Sequence, residues 1–143
     1  MLASDDVPPA GALEFRILGP LEVLEDGRPL PFVPGKEQAL LAVLLLHRNE
    51  RIAIARLTDL LWDESPPESA PKMIQIYVSR LRRTLVGEAG RQQRLVTEGA
   101  GYRLRVEPGE LDLDRFEQLR AEARDELAAG DPSLAVAKLR EAL

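Results

Sequence analysis

The chain has 143 residues and no cysteine. That absence excludes disulfides, thiolate metal sites and cysteine nucleophiles together, and it fits a reducing, cytoplasmic setting. Histidine occurs once, as His47 at the end of an apolar run. No nucleophile is evident beside it, and a helix C-terminus is a favourable place for a partly charged imidazole, so no catalytic role is assigned to it. Long hydrophobic runs are also missing: residues 39–46 form the longest, well short of the roughly 20 residues a membrane helix needs. The first 13 residues carry Asp5, Asp6, Pro8 and Pro9 without the basic and apolar regions of a signal peptide. Residues 1–12 therefore read as a disordered tail. Paired carboxylates, a metal-ligand cluster and a Gly-x-x-x-x-Gly-Lys phosphate loop are all lacking, so no enzyme, metal or cofactor is expected.

Positive charge is in the minority overall, with 19 basic against 24 acidic residues and a net charge of −5. Its distribution matters more. Residues 72–106 hold 8 basic and 2 acidic side chains, whereas residues 1–71 hold 6 and 12, and residues 107–143 hold 5 and 10. Salt screens charges beyond about 8–10 Å, so phosphate responds to such a local block and not to the net charge.

The remaining pattern orders the chain. Leu13, Phe15 and Ile17 alternate with polar residues as in a half-buried strand, a second alternation covers residues 21–24, and Asp26-Gly27 signals a tight turn into a short strand over residues 29–32, which two prolines confine to an edge. Residues 35–47 predict a helix that is apolar all round and hence central. A strand contact follows at residues 51–52, then a short helix over residues 54–62 with Leu57, Leu60 and Leu61 as its stripe, Ala53 in place of a capping residue and Trp62 as a core or edge plug.

Residues 69–85 predict the helix that the rest serves. Ile74, Val78, Leu81 and Leu85 form one apolar stripe, while Lys72, Gln75, Ser79, Arg82 and Arg83 recur on the opposite side. Ser69 is the expected cap, because Pro71 is harmless only in the first turn. Cations and amide or hydroxyl donors on one face suit a DNA major groove, although an ordinary solvated helix face has the same composition. Residues 94–97 and 101–106 then predict a hairpin, joined through Glu98, Gly99 and Ala100, with Arg103 and Arg105 on one face.

The sequence from Val78 to Leu85, the Leu95-Val96-Thr97 stretch and the Gly101-Tyr102-Arg103-Leu104 stretch, in this order of strands, three helices and a hairpin, resemble the winged helix-turn-helix output domain of the OmpR type. Residues 18–23, 60–62 and 110–116 are similar to stretches of the Streptomyces antibiotic regulatory protein family of transcriptional activators, the AfsR/DnrI/RedD group. The resemblance implies an α+β winged helix over residues 13–106. It implies helix 69–85 in the major groove of double-stranded promoter DNA, with hairpin 94–105 on the adjacent backbone or minor groove. Carried over by position, Lys72, Gln75, Ile76, Tyr77, Ser79, Arg80, Arg82 and Arg83 are the DNA-binding candidates on the helix. Chemistry pairs Gln75 with adenine, Arg82 or Lys72 with guanine or phosphate, Ile76 with a thymine methyl, and Arg80 and Arg83 with phosphate; Tyr77 is alternatively half core. Glu98 stands at the hairpin tip, where a cation is common, leaving Arg94, Thr97 and Arg103 for backbone contacts. The alternative is a winged-helix module that docks on a protein partner.

Residues 107–143 are acidic. Phe116, Leu119, Ala123 and Leu127, then Ala135, Leu139 and Ala142 around a break at Gly130, predict an all-α helical hairpin of tetratricopeptide type. One such unit cannot bury its own apolar face, which implies a truncated chain. By resemblance this is the first hairpin of a bacterial transcriptional activation domain. The same family likeness implies direct-repeat promoter sites, RNA polymerase holoenzyme as partner, self-association on DNA, a nucleoid-associated location in the cytoplasm, and control of antibiotic biosynthesis.

Overall fold

The computed structural model describes residues 12–87, 90–130 and 132–142; the expected tail lies outside these except for Ala12. At Asp26 (φ 51°) and Gly27 (φ 82°) the chain makes the tight reversal that the Asp-Gly pair signals. It joins β2 (Glu22–Glu25) to β3 (Arg28–Pro29), and β1 (Leu13–Arg16) lies antiparallel on the other side of β2, with Phe15 opposite Val23. The third strand is shorter than the expected 29–32. It ends as the Leu30 N–H donates to the Val23 carbonyl (2.8 Å), and Pro31 has no N–H with which to continue the ladder.

Three helices form the centre: α1 (Lys36–Leu46), α2 (Ile54–Leu61) and α3 (Ala70–Val86). Leu40, Leu41, Leu44 and Leu45 of α1, Leu57 and Leu61 of α2, and Ile74, Val78, Leu81 and Leu85 of α3 are buried in one core. Each such side chain stabilises the fold by about 1.5–3 kcal/mol relative to exposure. The apolar stripe expected on α3 is therefore its core face. Two departures mark α1, which is not buried all round. Leu46 is 57% exposed, while Glu37 is buried, its Oε2 accepting the Val33 N–H at 3.2 Å. Leu60, expected in the α2 stripe, is exposed, and Trp62 packs at the core edge beneath the Lys36 ammonium. Ala53 gives α2 no side-chain cap. Ser69 precedes α3 as expected, but its hydroxyl faces the Met73 sulfur at 3.6 Å instead of capping a backbone N–H.

The second sheet has the order β4 (Arg51–Ala53), β6 (Gly101–Leu104), β5 (Leu95–Glu98), all antiparallel. Ile52 lies opposite Tyr102 and Leu95 opposite Leu104. Three helices between an N-terminal sheet and a C-terminal hairpin make this an α+β winged helix-turn-helix.

Beyond the hairpin, Leu111 bridges to Phe15, and the Asp112 carboxylate accepts the Ile17 and Leu18 N–H groups at 2.9 and 3.1 Å. Arg48 holds Asp114, its Nε donating at 3.1 Å, and Arg94 holds Glu110, its Nη2 donating at 2.6 Å. These contacts fasten the start of α4 (Asp112–Ala128) to β1 and the hairpin base. Helix α5 (Pro132–Ala142) folds back on α4, burying Leu119, Ala123 and Ala135. Leu127, Leu134, Val136 and Leu139 stay exposed, as a lone helical hairpin requires. No described helix is long and apolar enough to cross a membrane.

Candidate nucleic-acid interface

The core stripe of α3 determines which of its residues face out. Lys72, Gln75, Ile76, Ser79, Arg80 and Arg83 are exposed, with Ile76 at 42%. Tyr77 is partly buried and packs against the core, as the structural one of its two expected roles has it. Lys72 and Arg83 enter no ion pair among the described residues. Arg80 has one neighbour of opposite charge: its Nη1 lies 3.7 Å from Oε1 of the buried Glu37, too far for a hydrogen bond.

Arg82 differs from its neighbours on the helix. Its Nε donates to the Leu95 carbonyl (2.8 Å), its Nη2 donates to the Thr97 hydroxyl (2.5 Å), and its guanidinium lies 5.7 Å from the centre of the Tyr102 ring. A residue expected to meet a base or phosphate is thus engaged by the hairpin. The hairpin cations are engaged as well. Arg103 donates to both oxygens of Glu98 (2.7 and 3.0 Å) and to the Asn49 carbonyl (3.0 Å), while Arg94 is tied to Glu110 at the hairpin base. The acid at the hairpin tip is therefore charge-balanced by Arg103, its diagonal neighbour on the adjacent strand. Thr97 is exposed beside Arg82, and Gly99 (φ 58°) turns the tip.

Two cations on this side escaped the sequence reading. Arg28, in the first hairpin, lines with Arg83, Thr84 and Pro29 a cleft of about 380 Å³ between β3 and the end of α3. Arg51 of β4 reaches the tip, its Nε donating to the Glu98 carbonyl at 2.9 Å. Neither proximity is visible without the fold, since both partners are distant in sequence. At the end of α3, Arg91 holds Glu25, its Nη1 donating at 2.7 Å. Burial, with Arg94 nearby, holds its guanidinium below the usual arginine range.

Residues 31–104 match the family described as "Transcriptional regulatory protein, C terminal". The chain is 41% identical over 137 residues to the transcriptional regulatory protein MoaR1 of Mycobacterium tuberculosis, covering 94% of this chain and 44% of that protein. It is 39% identical over 135 residues to the regulatory protein AfsR of Streptomyces coelicolor, covering 94% of this chain and 13% of that one. The solved structure of Mycobacterium tuberculosis EmbR in complex with a low affinity phosphopeptide superposes with a TM-score of 0.84 at 38% identity, over 91% of this chain and 35% of that one. The chain thus spans less than half the length of these relatives. With a family match over more than half of its length and these regulators as relatives, the chain belongs to the OmpR-type transcriptional regulatory proteins, in the Streptomyces antibiotic regulatory protein group.

Proposed function

We propose that the chain binds double-stranded promoter DNA in a sequence-specific way and activates transcription there. The observation that carries this reading is the face of α3 made by Lys72, Gln75, Ile76, Ser79, Arg80 and Arg83. It is exposed, without a single acidic residue, and backed by a helix whose other side is locked in the core. In this reading residues 13–106 are the DNA-binding domain. Gln75 pairs with adenine, Ile76 touches a thymine methyl, Lys72 meets guanine or phosphate, and Arg80 and Arg83 hold phosphates. Thr97 faces the backbone beside the groove, while Arg103 holds Glu98 at the hairpin tip. Residues 107–143 begin a transcriptional activation domain that engages a further copy on direct repeats and RNA polymerase holoenzyme, in the cytoplasm on the nucleoid. The reading as a module for a protein partner drew on Glu98 at the hairpin tip; with Arg103 holding that carboxylate, DNA is the better-supported partner.

Selection of bound sequences from a random DNA library tests the proposal. The expected result is an enriched half-site, repeated in direct orientation. Gln75→Ala then weakens binding by about 1–3 kcal/mol and relaxes one base position, whereas Arg83→Ala weakens all sequences alike and lowers the salt slope by about 0.9. No enrichment, or affinity independent of salt, overturns it.

A further inference from the structure

We infer that Arg82 is a positioning residue that sets the hairpin at a fixed angle to α3, so that its contribution to binding runs through the hairpin. This rests on the DNA-binding reading above and refines it. A guanidinium has five N–H donors in a rigid fork, and two parallel ones are needed to read guanine or clamp a phosphate. Arg82 directs its Nε to Leu95 and its Nη2 to Thr97, so the hairpin takes the side-on pair of donors and leaves only the end-on Nη1 edge open. The flat face is occupied too, by the Tyr102 ring. Its acceptors lie on β5, an edge strand. There the Arg94 carbonyl accepts the Arg105 N–H, and carbonyls alternate along a strand, so the next one, Leu95, points away from β6 with no strand to meet it. Arg82 satisfies that carbonyl, and in doing so spans 13 and 15 residues of sequence to couple helix and hairpin. Holding two reading elements in one orientation before DNA arrives removes an ordering cost from binding.

The test compares Arg82→Lys, Arg82→Ala and Thr97→Val with Arg80→Ala in the 143-residue chain, on the DNA selected above. Lysine keeps the charge but cannot make the two-point contact, and Thr97→Val removes the hydroxyl acceptor without changing any charge. Arg82→Lys and Arg82→Ala are both expected to weaken binding by roughly tenfold or more, the loss of two charge-assisted hydrogen bonds. The salt slope stays that of the parent for Arg82→Lys and falls by clearly less than about 0.9 for Arg82→Ala, against a full loss of about 0.9 for Arg80→Ala. Thr97→Val should give a smaller loss at an unchanged slope. In the free protein, amide exchange at the hairpin should quicken in Arg82→Lys and Thr97→Val, while the α1 core amides keep their parental protection. Full affinity in Arg82→Lys together with the full loss of slope in Arg82→Ala would identify a phosphate contact and overturn the inference. So would unchanged hairpin exchange, which reads the coupling even if the parent chain binds no DNA; that last outcome defeats the DNA-binding reading alone.

Discussion

A Cβ placed on Gly101 would lie 2.4 Å from the Ile52 carbonyl oxygen, so no side chain fits where β6 pairs with the end of β4. Gly101→Ala is expected to destabilise the fold by about 1–3 kcal/mol, as overpacking does, and denaturant unfolding measures it. The residue scale is also where legibility varied most. Ile74, Val78, Leu81 and Leu85 were readable because helical spacing alone places them on one side. Glu37 was not, since a charged residue among leucines is ordinarily assigned to the surface; its burial follows from accepting the Val33 N–H. Arg82 looked like its exposed neighbours Arg80 and Arg83, because its partners Leu95 and Thr97 are brought near only by the hairpin's return. Asp112, at the start of α4, accepts two N–H groups of the β1 exit, a contact that sequence spacing does not show. Asp112→Ala leaves both donors without that partner and is expected to cost about 1–3 kcal/mol, seen as faster amide exchange at Ile17 and Leu18.

Among the elements, the three central helices and the hairpin lie where the sequence puts them, with ends shifted by a residue or two. Strand β3 is the exception, because pairing stopped at the prolines. The α4–α5 hairpin carries an ion pair whose response to pH has a definite sign. A hydrogen bond from Lys138 (3.1 Å) holds the Glu122 carboxyl below its ordinary value, and Glu122 raises Lys138 in turn. The Glu122 contribution is therefore complete above the unfolded carboxyl value and is lost as pH falls through the lower folded value. The Lys138 contribution is complete below the unfolded amine value and is lost as pH rises through the higher folded value. Both groups face solvent, so the effect is small and local. Titrating α5 amide chemical shifts into acid should show a step that Glu122→Gln removes. A step unchanged in that variant would point to another carboxylate.

At the scale of the whole molecule, charge is segregated along the chain, and the fold preserves the segregation only in part. Of the eight cations in residues 72–106, Arg82, Arg91, Arg94 and Arg103 are engaged within the protein and Arg105 is exposed at the hairpin base beside Arg94 and Glu110, leaving Lys72, Arg80 and Arg83 as the outward charge of α3. Counting charges in the sequence thus overstates the phosphate contacts available. A log–log plot of affinity against salt should have a slope of about −3, set by those three, and not the steeper value that eight cations imply. In the arrangement proposed above, with two copies on one promoter, the attachment of α4 at Asp112, Asp114 and Glu110 has a further consequence. Each copy's trailing helices inherit their compass bearing from the groove beneath it, so the rotational phase of the sites decides whether neighbours face each other. Inserting about 5 bp, half of a ~10.5 bp turn, between repeats should abolish cooperative binding, and a whole turn should restore much of it.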